Sequence, residues 1–211
     1  MINAASFSGS GLAVVRGGRL LFRDLAFEIA PGQALLLTGP NGSGKSSLLR
    51  VLAGLTPPQL GQLSWNGAPI DDREDHAARL NWLGFSDGIK PTLTVREHLA
   101  FHRALGLPGI DVEAAGGRVG LGALLDKPGR ILSSGQRRRL SLARLLVRAA
   151  PLWLLDEPTT ALDDAGTALF AELAGEHLAQ GGLLVAATHH DLGLADSLRL
   201  RPADFLPERA E

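Results

Sequence analysis

The run Gly39-Pro40-Asn41-Gly42-Ser43-Gly44-Lys45-Ser46 constrains this 211-residue chain more than any other segment. It follows an apolar stretch, Ala34 to Leu37, and precedes Ser46 to Ala53, where Leu48, Leu49 and Leu52 recur at helical spacing. Strand, glycine loop and helix in that order predict a phosphate cradle. Backbone N–H groups can turn inward around an anion only where Cβ atoms do not block them, and the start of a helix favours negative charge at the same place. Lys45 is then placed to reach the β- and γ-phosphates of a nucleotide. Ser46 offers a hydroxyl to Mg²⁺, and Ser47 follows at the mouth of the loop.

Two further patterns sharpen that reading. Trp153-Leu154-Leu155-Asp156-Glu157 is an apolar strand ending in two acids. If it points at the glycine loop, Asp156 is aimed at the Mg²⁺ shell, and Glu157 can polarise an attacking water. Upstream, Leu132-Ser133-Ser134-Gly135-Gln136 opens a helix that carries Arg137, Arg138 and Arg139. Three cations in a first turn oppose the helix dipole, a local cost that a triphosphate supplied with a second copy of the chain would offset. A serine N-cap followed by a solvated basic face would read the same way.

Composition narrows the partners. There are 21 Lys+Arg against 22 Asp+Glu, for a net charge of -1, so the basic footprint that drives nucleic-acid binding is missing. No cysteine occurs, which removes disulfides and thiolate metal sites. The start of the chain has no basic region followed by an apolar core, and Arg144 and Arg148 interrupt the longest apolar stretch, so neither an export signal nor a membrane span is expected.

The length suits one domain over residues 1–211. Leu25 to Ile29 reads as a strand, and Asn66-Gly67 as a tight turn in an antiparallel hairpin region. Leu80 to Phe85, Leu152 to Leu155 and Leu183 to Thr188 read as buried strands. Thr92 to Leu105 opens with a capping box, Thr94-x-x-Glu97. Gly106 to Gly122 reads as loops, Gln136 to Ala149 and Thr167 to Gln180 as helices, and Arg199 to Glu211 as a tail. Buried strands alternating with helices imply an α/β fold with a mostly parallel sheet. His98 and His102, at i,i+4 spacing, read as a half-exposed helical face.

From about Leu12 to Leu198 the chain resembles the nucleotide-binding subunits of ABC transporters. The resemblance rests on the glycine loop, the acidic strand end and the Ser133 to Gln136 signature. It implies an α/β P-loop ATPase with an antiparallel β subdomain and a helical insertion at about 86–140. It also implies ATP and Mg²⁺, and a homodimer in the ATP-bound state that holds each nucleotide between one glycine loop and the other copy's Ser133, Gly135 and Gln136. Ala161-Leu162-Asp163 resembles the loop that crosses that dimer, and His189 the histidine that contacts the γ-phosphate. The implied partners are integral membrane permease subunits, met at the cytoplasmic face of the bacterial inner membrane. Asn81-Trp82-Leu83-Gly84, Gly88-Ile89-Lys90 and Leu93 to Leu99 are more specifically similar to the haem-export ATPases of cytochrome c biogenesis. That resemblance implies release of a haem-loaded chaperone.

Two positions depart from the family pattern. Ser86, followed by Asp87, stands where a glutamine usually joins the Mg²⁺ shell. Arg16 stands where an aromatic residue usually stacks on adenine, and a guanidinium plane discriminates bases weakly. The ATPase of another small transporter, or a soluble cassette ATPase, would share the same core motifs. The interval from Ser46 to Ser133 is too short for the long coiled-coil insertion of the soluble class.

Overall fold

The computed structural model describes residues 5–194 and 196–206. Its chain order is β1 (Phe7–Arg16), β2 (Arg19–Ile29), β3 (Ala34–Leu37), α1 (Lys45–Leu52), β4 (Leu60–Trp65), β5 (Ala68–Pro69), α2 (Arg73–Ala78), β6 (Leu80–Leu83), α3 (Val95–Ala104), α4 (Val112–Arg118), α5 (Ser134–Val147), β7 (Leu152–Asp156), α6 (Asp164–Ala179), β8 (Leu183–Ala187) and β9 (Leu198–Leu200). Two sheets result. The first is antiparallel in the order β2-β1-β4-β5, and the second is parallel in the order β6-β7-β8-β3-β9.

The strands β3, β7 and β8 are buried along their whole length, so each feeds two cores with alternate residues. Leu36, Trp153, Leu155, Leu184 and Ala186 pack with α3, α4, α5 and α6. Leu35, Leu37, Leu152, Leu154, Val185 and Ala187 pack with α1 and with the antiparallel sheet, through Phe7, Phe22 and Leu25. The glycine loop leaves β3 between these layers.

Local signals hold where contiguous residues carry them. Asn66 and Gly67 both have positive φ, 49° and 78°, and turn β4 into β5. The Thr94 hydroxyl accepts from the Glu97 N–H at 3.1 Å, and Glu97 Oε2 accepts from the Thr94 N–H at 2.7 Å, closing the capping box at α3.

Three expectations are corrected. The segment read as loops, Gly106 to Gly122, contains α4, started by Asp111, whose carboxylate accepts from the Ala114 N–H at 2.7 Å. Its glycines hide the helical signal, and Gly116 serves packing: a Cβ there would stand 2.7 Å from Leu125. The expected tail instead forms β9, which pairs in parallel with β3 at Leu35↔Leu198 and Leu37↔Leu200, and then a short 3₁₀ turn over Pro202–Phe205. Phe205 packs on the second core, while 207–211 lie outside the described residues. His98 is buried rather than half-exposed; its Nε2 lies 3.1 Å from the Lys90 carbonyl because α3 turns this face toward the loop before it. The strand β1 and helix α2 were not expected. Gly9 and Gly11 interrupt the alternation of β1, and α2 spans only six residues.

Candidate nucleotide site

The strands β3, β7 and β8 run parallel and end on one edge, so the glycine loop, Asp156-Glu157 and His189 converge beyond their carboxyl ends. Together they line a cleft of about 810 Å³.

Gly44 caps α1 with φ 98° and ψ 1°, a left-handed conformation that lets the backbone enter the helix from a tight loop. A Cβ there would also press within 3.3 Å of the Phe22 ring. Lys45 is buried, and its ammonium folds back to donate to the Gly39 carbonyl at 2.6 Å and to Pro40 at 3.0 Å. The Ser43 hydroxyl is buried without a hydrogen-bond partner. No acid occupies the first turn of α1, so the positive end of the helix is uncompensated. Asn41, Gly42, Gly44, Lys45, Ser46 and Ser47 all line the cleft.

Opposite them, burial pushes the Asp156 carboxyl above the usual range; a hydrogen bond with Ser46 opposes that rise, neighbouring Glu157 adds to it, and Arg138 and Lys45 lower it. A buried carboxylate bonded to a serine hydroxyl is an oxygen donor pair of the kind Mg²⁺ accepts. Among the described residues no cluster of three His, Cys, Asp or Glu side chains could hold a metal alone, so these two oxygens fit a cation shared with phosphate. Glu157 sits just past β7 with φ 49°, seldom adopted by a residue with a Cβ. Its N–H donates to the Ala187 carbonyl at 2.9 Å, which ties it to β8. Its Oε1 lies 2.9 Å from His189 Nδ1, while Oε2 is buried without a partner.

The remaining expected residues divide. Arg16 lies at the exposed end of β1 and lines the cleft beside Leu21. Ser86 is exposed and is not part of the lining; Phe85, one residue earlier and 71% exposed, is. Gly39, Pro40 and Ser43 form the loop behind the lining. Ser133, Gly135 and Gln136 also lie outside it. Ser133 caps α5 in a second capping box, with its hydroxyl 3.2 Å from the Gln136 N–H and its own N–H 2.9 Å from Gln136 Oε1. Asp163 caps α6, accepting from the Gly166 N–H at 2.8 Å; that bond first, and Arg139 second, holds its carboxyl below the usual range.

The expectation that a triphosphate offsets the three signature arginines is corrected. Each already has protein partners: Arg137 donates to the Leu132 carbonyl at 2.8 Å, Arg139 pairs with Asp163 at 2.9 Å, and Arg138 is fully buried beneath the Asp156 to Pro158 turn. Phe85, Arg138, Thr159 and Thr160 are site residues that motif reading missed. For Arg138 a signal existed, because it falls in phase with Leu142 and Leu145 on the buried stripe of α5.

The comparisons agree with this geometry. The family described as ABC transporter matches residues 22–160. The cytochrome c biogenesis ATP-binding export protein CcmA of Paramagnetospirillum magneticum is 50% identical over 207 residues, covering 95% of each chain. The protein of the same name from Rhodospirillum rubrum is 48% identical over 97% of this chain and 88% of its own. A putative ABC transporter ATP-binding protein from Pyrococcus furiosus shares the fold, with a TM-score of 0.81 at 20% identity over 95% of this chain and 98% of its own. A bacterial Atm1-family ABC exporter with ATP bound gives a TM-score of 0.81 at 25% identity, over 96% of this chain and 38% of the exporter's. With the glycine loop and the Asp156-Glu157 strand end inside the matched segment, the chain belongs to the ABC transporter family, as an ATP-binding, ATP-hydrolysing subunit.

Proposed function

We propose that this chain, as one ATPase domain with its helical insertion at about 86–140, hydrolyses ATP between two copies of itself and drives a membrane complex of cytochrome c biogenesis. The observation that carries the hydrolytic step is the Glu157–His189 pair: Glu157 lines the cleft, one carboxylate oxygen is 2.9 Å from the imidazole, and the other is buried and unpartnered. A carboxylate so oriented can take a proton from water attacking the γ-phosphate, and His189 holds it in place. Lys45, released from the Gly39 and Pro40 carbonyls, and the N–H groups of the loop bind the β- and γ-phosphates. Ser46 and Asp156 would hold Mg²⁺, which when bound supplies charge neutralisation on those phosphates.

The dimer is supported by the position of Ser133, Gly135 and Gln136, which lie outside the cleft of their own chain and leave the start of α5 to a second copy's nucleotide. The cytochrome c assignment is supported by relatives near 50% identity along almost the whole chain that carry that role in their names. Among the described residues no helix is long and apolar enough to cross a membrane. The reading of integral permease subunits as partners, met at the cytoplasmic face of the inner membrane, is supported by relatives named as ATP-binding export proteins. Its work is haem export or release of a haem-loaded chaperone.

The test is capture of detergent-solubilised membranes with the Glu157→Gln protein held in ATP. Recovery of cytochrome c maturation membrane subunits is expected. Recovery of an unrelated permease would retain the ATPase and remove haem.

A further inference from the structure

Arg138 is the largest fully buried side chain among the described residues, 2% exposed, and its partners belong to two segments far apart in sequence, 84–87 and 156–158. Its Nε donates to the Pro158 carbonyl at 2.9 Å, and its Nη2 to the carbonyls of Asp156, at 3.1 Å, and Glu157. Its Nη1 donates to the Gly84 carbonyl at 3.3 Å and to Asp87 Oδ1 at 3.1 Å. The Ser141 hydroxyl, one turn further along α5, lies 3.4 Å from the same Asp87 oxygen. One guanidinium therefore joins the signature helix, the turn carrying both site acids, and the loop in which serine replaces the family's glutamine.

We infer that Arg138 is a positioning residue for hydrolysis, fixing Glu157 in its left-handed turn and, through Asp87, tying that turn to the 84–90 loop. The inference rests on the reading of Glu157 as the acid that orients water. Glu157 has φ 49°, and such a turn persists only where its surroundings over-determine it. Carbonyls at the end of a buried strand need donors, and a planar fork with five N–H donors can serve more of them at once than the three donors of an ammonium. Asp87 is the only carboxylate bonded to this buried cation among the described residues, so a movement of its loop is felt at the backbone of Glu157 without a glutamine reaching the nucleotide. Rigid positioning matters because a displacement on the order of 1 Å can lower turnover by about 10².

The experiment compares Arg138→Lys, Asp87→Asn and Glu157→Gln in the full chain, measuring kcat and KM for ATP, binding of a fluorescent ATP analogue, and thermal melting. For Arg138→Lys and Asp87→Asn we expect kcat to fall about tenfold or more. Analogue affinity should stay within about threefold of the parent. Parent-like kcat in either folded variant, with Glu157→Gln inactive, overturns the coupling. A parallel loss of affinity, kcat and melting temperature assigns Arg138 to scaffolding and also overturns it. Normal hydrolysis by Glu157→Gln removes the reading of Glu157 itself. Should Arg138→Lys fail to fold, Asp87→Asn decides, since Asp87 is partly exposed and keeps Ser141 as a partner.

Discussion

Oε1 of Glu157 and Nδ1 of His189 stand 2.9 Å apart although 32 residues separate them, each just beyond the end of one of two adjacent parallel strands. The contact turns two loop residues into a unit in which the imidazole fixes one carboxylate oxygen and leaves the other, buried, without a hydrogen-bond partner. Replacing His189 with alanine is expected to lower kcat by about 10² with little change in ATP affinity, as for loss of a group that orients a base. Steady-state hydrolysis combined with nucleotide binding checks the split.

Lys45 makes two hydrogen bonds to carbonyls of its own loop, so its loss removes both a phosphate ligand and a brace. Lys45→Ala should weaken ATP binding by about 10- to 100-fold, the range of one or two charge-assisted hydrogen bonds. Isothermal titration with ATP and a melting scan of the nucleotide-free protein separate the two effects.

Arg16 lines the cleft, and we propose that it stacks on the base. A guanidinium plane stacks on any purine, so the parent is expected to prefer ATP over GTP by less than about tenfold, and Arg16→Ala to weaken both by a similar factor. A competition assay showing strong ATP preference would count against stacking by Arg16.

Stability should fall on acidification because burial holds four histidines, His76, His98, His102 and His177, below the ordinary imidazole value. The His177 ring stacks on Trp153 with centroids 4.0 Å apart, and burial lowers its pKa to about 4. Burial first, and nearby Arg144 second, lowers His102 to about 4, and burial lowers His76. Between the ordinary value near 6.5 and these folded-state values the unfolded chain binds more protons. The stabilisation is thus complete above about pH 6.5 and is lost as pH falls toward 4. His177 accounts for roughly 3 kcal/mol of that loss, and His177→Gln should flatten the urea-unfolding free energy across this window.

The Thr94 hydroxyl closes the capping box of α3. Thr94→Ala is expected to destabilise the protein by about 1 kcal/mol and lower Tm by about 2–4 °C, without changing ATP affinity, because the cap is not part of the cleft lining.

What was legible in the sequence was whatever contiguous residues encode. The glycine loop needs its glycines, lysine and serine in one run; the Thr94–Glu97 capping box needs residues three apart; and the acid pair needs only the end of an apolar strand. Expectations failed where the partner is remote. The pattern around Leu198 contains too few residues to reveal a strand, and β9 exists because β3 offers it an open parallel edge. Arg138 reads as one of three surface cations until the turn after β7 closes over it, and His98 as half-exposed until α3 docks beside the Lys90 loop.

By itself the sequence determined the chemistry available to this protein: a phosphate-binding loop at a helix start, two acids at a strand end, and a second glycine-containing helix start facing elsewhere. Tertiary structure alone decided which of these groups meet. The sheet order β6-β7-β8-β3-β9 places the ends of β7 and β8 beside the loop after β3, though they lie more than a hundred residues apart along the chain. Local motifs follow from backbone sterics and hydrogen bonds within a few residues. The distance from Glu157 to His189, and the burial of Arg138 beneath Glu157, follow from strand pairing across the whole fold.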